Sequence, residues 1–251
     1  FKKNVGPLLG ELDLRKMSKV EEINFVKKLS PVYELIKLVS NSQFTNNKTT
    51  IGFVGAPWTL LVYMMNKKSP KLNLNENFFE DKFLIDKVLK ILDKFLKIHI
   101  KNQIDNGAQI IQIFDSWNAL CPDKYLNEWS LYWINQISLE VSNKVPIILY
   151  AKTPSDRLHL FSNCKVSGIS LDHKTKLSDA RKILPSSFTL QGNLNPNVME
   201  TSADNVEHKT LKLLNEMRGD SGHILNLGHG IRPNAKIECM EALVKTTREF
   251  T

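Results

Sequence analysis

His223-Ile224-Leu225-Asn226-Leu227-Gly228-His229-Gly230 lies near the C-terminal end of the chain. An apolar run, Ile224 to Leu227, stops at two glycines that flank one histidine. The run suits a buried strand, and the glycines let the backbone turn sharply and approach a ligand. One imidazole therefore sits at a strand exit, where α/β enzymes keep their chemistry, and it can titrate near neutral pH. A lone histidine is most often structural; one between two glycines is less easily explained by packing.

Working outward, five more apolar runs resemble buried parallel strands: Thr50 to Ala56, Gln109 to Phe114, Val145 to Ala151, Val166 to Leu171 and Ser187 to Gln191. They are rich in Ile, Val, Leu and Phe and end in turn-forming or polar residues. Helical patterns separate them. Phe83 to Ile104 repeats apolar residues at spacings of three and four. A second helix is expected from Asp123 to Val141, with shorter ones after Ser155, Lys176, Asn197 and Asn234. Ser30 to Val39 reads as a helix, Asn41 to Lys48 as a loop, and Asn66 to Asn77 as a longer, mobile loop. Strand alternating with helix means βαβ units and a parallel sheet. No Gly-x-Gly-x-x-Gly turn follows a strand, so a dinucleotide-binding sheet is disfavoured. Polar residues at several strand ends favour a (β/α)8 TIM-type barrel with a shared C-terminal mouth. Six units are visible and the chain starts at Phe1, so the expectation is one barrel domain over residues 1–251 that lacks about two N-terminal units.

The 251 residues are 42% hydrophobic and 24% charged, an ordinary globular composition. No apolar stretch approaches the roughly 20 residues that cross a bilayer. The net charge of +8 is spread along the chain. It suits an anionic small molecule better than a nucleic-acid tail, and it also suits solvated helix faces. The three cysteines, Cys121, Cys164 and Cys239, have no metal-ligand spacing, and a reducing compartment without disulfides is the default. No pair of histidines has zinc spacing, and there is no phosphate loop or nucleophile elbow.

Four further segments could carry chemistry. In Gly52-Phe53-Val54-Gly55-Ala56-Pro57-Trp58-Thr59, small residues crowd a strand end and leave room for a ligand around Gly55. Tyr63 follows about one turn into the next helix, either aimed at the mouth or packed as core. In Phe114-Asp115-Ser116-Trp117-Asn118, Asp115 and Ser116 either serve a ligand or cap the next helix. Asp172-His173 ends another strand, with Asp172 suited to orienting a neighbour. Gln191-Gly192-Asn193-Leu194-Asn195-Pro196 is a polar, tight exit whose bland reading is a βα loop.

These strings, in this order, resemble the uroporphyrinogen decarboxylase family, with wording nearest its plastid-type members. The resemblance covers nearly the whole chain. It implies a (β/α)8 barrel, a homodimer, no cofactor and no metal, and conversion of the four acetate arms of uroporphyrinogen to methyls. It implies catalytic roles for Tyr63, Ser116 and His229, with Phe114 lining the cleft; Asp115, Gly55 and Asn193 are expected beside the tetrapyrrole. The resemblance implies a cytoplasmic or plastid-type home, and the sequence as given carries no targeting segment from which to read it. The family's paired arginines and key aspartate would precede Phe1, so the chain as given is expected to be inactive alone. Tyr150-Ala151-Lys152-Thr153-Pro154-Ser155 departs from the family's glycine-rich turn. Two other readings stand beside this one: a non-catalytic porphyrin-binding remnant, and a zinc-dependent methyltransferase of the same barrel superfamily.

Overall fold

The computed structural model describes residues 9–67, 74 and 76–250. The chain forms two compact units: Phe1–Tyr150 with Cys164–Val166, and Ala151–Asn163 with Ser167–Thr251. All six expected strand positions carry strand. The first unit holds β1 (Ile51–Gly55), β2 (Ile110–Asp115) and nearly all of β3 (Ile147–Ala151), in that order. The second holds β4 (Gly168–Ser170), β5 (Thr189–Gln191) and β6 (His223–Ile224), again in order. The registered pairs are parallel. β6 is shorter than its apolar run, because the chain leaves the ladder after Ile224 and returns only through a bridge between Leu194 and Leu227.

In the first unit, α1 (Leu14–Ser18) and α2 (Glu22–Ser40) precede β1, α3 (Pro57–Asn66) follows it, and α4 (Lys82–Asp105) leads into β2. Pro57 opens α3 at a position where a missing N–H costs nothing. Asp81 caps α4 by accepting from the Leu84 N–H at 2.8 Å. One stripe of α4, including Ile85, Leu89 and Ile100, is fully buried. A second stripe meets α2: Phe95 lies 4.8 Å from the Phe25 ring, and Nδ1 of His99 is 3.0 Å from the Tyr33 hydroxyl. Two apolar faces on one helix explain why its periodicity is so broad.

Two helix expectations change. α2 begins at Glu22 and runs through Pro31, rather than starting at Ser30. Proline usually marks a helix start, but here the Phe25 and Tyr33 contacts with α4 hold helix on both sides of it. The expected helix from Asp123 to Val141 is α5 (Asp123–Tyr125), a π turn (Leu126–Leu131) and α6 (Tyr132–Val141). Of the loop expected at Asn66 to Asn77, residues 68–73 and 75 lie outside the described residues.

In the second unit, Ser155–Phe161 and Pro196–Glu200 are 3-10 turns, and α7 (Leu177–Ile183), α8 (Ala203–Glu216) and α9 (Ile237–Glu249) are α-helical. Ser202 caps α8 by accepting from the Asn205 N–H. α8 and α9 enclose a core around Met199, Val206 and Cys239. No described helix is long and apolar enough to cross a membrane.

Candidate active site

Strand alternation decides which residues of the first unit can meet a ligand. In β2, Ile111, Ile113 and Asp115 are fully buried and share one face. That face is the helix-covered one: Asp115 reaches Thr59 of α3 and Ser130 of the π turn. Gln112 and Phe114 point the other way. The register places Phe53 beside Gln112 and Gly55 beside Phe114. The Phe53 ring meets Phe114 edge-on at 6.1 Å, and Phe114 meets Tyr150 of β3 at 5.8 Å. Phe53 is 65% exposed, an unusual place for a phenylalanine within a strand.

β1 ends the strand order, so one of its edges needs partners. Gln103 of α4 supplies them: its Oε1 accepts from the Phe53 N–H at 3.0 Å, and its Nε2 donates to the Phe53 carbonyl at 3.1 Å. This side chain mimics a neighbouring strand. Gly52 permits it, because a Cβ there would lie 2.6 Å from the Gln103 Oε1.

Asp115 is the best-connected side chain of the candidate site. Its Oδ1 accepts from the Thr59 hydroxyl at 2.7 Å, and its Oδ2 accepts from Ser130 at 2.7 Å and Asn118 at 2.8 Å. Burial raises its pKa, while the donors from Asn118, Ser130 and Thr59 pull it back down. The Trp117 N–H in turn donates to Thr59 Oγ1 at 3.2 Å, and the Trp58 indole donates to the Trp117 carbonyl at 2.9 Å. The expectation that Asp115 lies beside a ligand therefore becomes an interior role. Its carboxylate faces the helices and ties the β2 exit to α3 and the π turn, and it caps no helix. Ser116 follows it out of the strand and is partly exposed. Tyr63, partly buried on α3, packs edge-on against Trp117 at 6.1 Å. Thus the structure gathers Gly55, Tyr63, Phe114 and Ser116 around the exits of β1 and β2. Phe53 belongs with them and was not singled out from sequence. Its β-strand parity with Gly55 was the available signal.

The second unit carries the other candidates. Asn193 is buried and donates from Nδ2 to the Asp172 and Thr175 carbonyls, which pins the β5 exit to the β4 exit. Its amide nitrogen is thus occupied within the protein. Asp172 accepts at Oδ1 from the Lys174 N–H at 3.0 Å and so shapes its own turn. Leu194 accepts from the Gly228 N–H at 2.8 Å. Gly228 is pressed against the Asp172-His173 backbone, where a Cβ would fall 2.3 Å from the His173 nitrogen. That close approach holds the turn from which His229 projects, exposed. His223 is also placed, with Nε2 2.9 Å from the Gly192 carbonyl. Among the described residues no three His, Cys, Asp or Glu side chains gather as metal ligands.

The family model described as uroporphyrinogen decarboxylase (URO-D) matches residues 1–250. The chain belongs to the uroporphyrinogen decarboxylase family. Relatives of that name include one from Ruthia magnifica, 30% identical over all of this chain and 75% of its own length. Another, from Campylobacter jejuni, is 35% identical over 99% of this chain and 74% of its own. A third, from Rickettsia akari, is 31% identical over 99% and 74%. Among solved structures, a methyltransferase from Methanosarcina mazei matches with a TM-score of 0.74 at 18% identity, covering 87% of this chain and 64% of that one. A B12-independent methionine synthase from Shewanella matches with a TM-score of 0.59 at 14% identity, covering 86% and 66%. At such identities the likeness concerns the fold alone. The uroporphyrinogen decarboxylase fold class, a (β/α)8-type barrel, accounts for the parallel strands in chain order with helices between them.

Proposed function

We infer that this chain is a carboxy-lyase that decarboxylates the four acetate arms of uroporphyrinogen, giving coproporphyrinogen in haem biosynthesis. The observation that carries this reading is the family match across residues 1–250, unbroken through both compact units. It supports treating residues 1–251 as one barrel domain.

The chemistry asks little of the protein beyond placement. A proton added to a pyrrole ring carbon makes the ring an electron sink. The acetate carboxylate then leaves as carbon dioxide, and its bonding electrons return to the ring. Protonation of the exocyclic carbon, with loss of the proton first added to the ring carbon, yields the methyl and restores the pyrrole. The protein binds a polyanion, lines the macrocycle with apolar surface and stabilises the transient cation. We assign the apolar lining to Phe53 and Phe114. Tyr63, Ser116 and His229 serve as hydrogen-bonding or proton-transfer partners of the carboxylates. Gly55 keeps the β1 exit low. Asn193 and Asp115 act at one remove, by holding strand exits. The net charge of +8 favours approach of the polyanion. A homodimer, a plastid-type compartment and cofactor-independent turnover belong to the same reading and rest on the resemblance alone.

Incubating the full-length protein with uroporphyrinogen and following carbon dioxide together with methyl formation tests the assignment. Stepwise loss of four carboxyls is expected. The absence of turnover in the folded, full-length protein, or turnover that needs added zinc and a methyl donor, would overturn it. The second outcome would favour the methyltransferase reading.

A further inference from the structure

Thr59 lies on α3 and is 3% exposed, too deep to touch a ligand. Its hydroxyl nevertheless joins the residues on both sides of Ser116. It donates to Asp115 Oδ1 at 2.7 Å and accepts from the Trp117 N–H at 3.2 Å. Neighbouring contacts grip the same segment. The Ala56 N–H donates to the Phe114 carbonyl at 2.8 Å, and the Trp58 indole donates to the Trp117 carbonyl at 2.9 Å. One turn beyond Thr59 on α3, the Tyr63 ring meets Trp117 edge-on at 6.1 Å. The start of α3 is thus fastened to residues 114–117, with Ser116 between the fastened points.

We propose that Thr59 is a positioning residue for the decarboxylation, setting where Ser116 stands relative to Tyr63. It bonds to both flanks of Ser116 and stands on the helix that carries Tyr63. A hydroxyl suits the place because it donates to a carboxylate and accepts from an amide at once. Valine fills the same space and does neither. Burial keeps water from competing for either bond. Ser116 follows Asp115, the last residue of β2, so it lies where ladder pairing has ended and side-chain ties hold the backbone. Reacting groups must be held to a fraction of an ångström, and a displacement of about 1 Å can cost roughly a hundredfold in rate. The inference rests on the assignment of Ser116 and Tyr63 to the chemistry.

Steady-state kinetics of the full-length protein with uroporphyrinogen test it. Thr59→Val should lower kcat by roughly tenfold or more, with KM within about threefold of the native value. Thr59→Ser, which keeps the hydroxyl, should restore kcat to within about threefold. If the valine variant does not fold, Thr59→Cys, which fills the space with a weak donor, carries the same comparison. A double-mutant cycle decides between positioning and mere stability. Once Ser116→Ala has removed the group being placed, adding Thr59→Val should lower kcat by less than about twofold. An undiminished loss in that background would overturn the proposal. So would native kcat in Thr59→Val beside an impaired Ser116→Ala, or a Thr59→Ser as slow as Thr59→Val. Native kcat in Ser116→Ala would instead overturn the role assigned to Ser116, and the inference with it.

Discussion

Asp115 and Ser116 are neighbours in sequence with opposite surroundings. Asp115 is 0% exposed and accepts three hydrogen bonds, whereas Ser116 emerges at the strand exit. Asp115→Asn keeps the Thr59 contact but turns an NH2 group toward two donors, Asn118 and Ser130. It should cost about 1–3 kcal/mol, read by urea denaturation. Ser116→Ala should leave stability within about 0.5 kcal/mol while lowering kcat/KM for uroporphyrinogen. Tyr63→Phe and His229→Ala should lower kcat/KM in the same way. An unchanged kcat/KM in all three variants would remove them from the chemistry. The motif around residues 112–118 was legible in sequence, but the direction of each side chain was not. Alternation dictates that Phe114 and Asp115 point oppositely; only the position of α3 and the π turn says which of them is inside.

At the scale of elements, the α2–α4 pair and the Gly228 turn make separate predictions. Burial lowers the pKa of His99, whose Nδ1 faces the Tyr33 hydroxyl and whose ring edge meets Phe25 at 6.5 Å. A base whose pKa is lower folded than unfolded favours the native state while neutral. Its contribution is present above the unfolded value of about 6.5 and is lost as pH falls from there through the folded value. Stability measured between pH 7.5 and 5 should therefore decline more steeply in the native sequence than in His99→Gln. At the Gly228 turn, Gly228→Ala would push a methyl into the His173 backbone and should cost about 1–3 kcal/mol by thermal denaturation. Gly230→Ala meets nothing within 4 Å and should be near neutral. The two glycines flanking His229 look alike in sequence. Their difference arises because one of them abuts a strand exit over fifty residues earlier in the chain.

Across the whole molecule, Cys121, Cys164 and Cys239 are all buried thiols. Burial pushes Cys164 up to about 12, so almost no thiolate exists at pH 8. Iodoacetamide at pH 8 should label none of the three in the folded protein and all three after denaturation, as counted by mass spectrometry. Labelling of Cys164 without unfolding would contradict the packing described. The fold class was legible because each strand is a compact apolar run with a polar exit. The boundaries of α2 and the shape of residues 123–141 were not, because Pro31 and the π turn are tolerated through contacts made by distant residues.

The order of strands, the family strings and the positions of Tyr63, Ser116 and His229 at or near strand exits were set by sequence alone. They depend on local periodicity and on turn residues, which act over a few neighbours. Tertiary structure decided that Asp115 faces the core, that Phe53 stands exposed beside Phe114, and that Gln103 completes the edge of β1. Each of these depends on which elements pack against which, and residues fifty or more positions apart carry no local mark of their meeting.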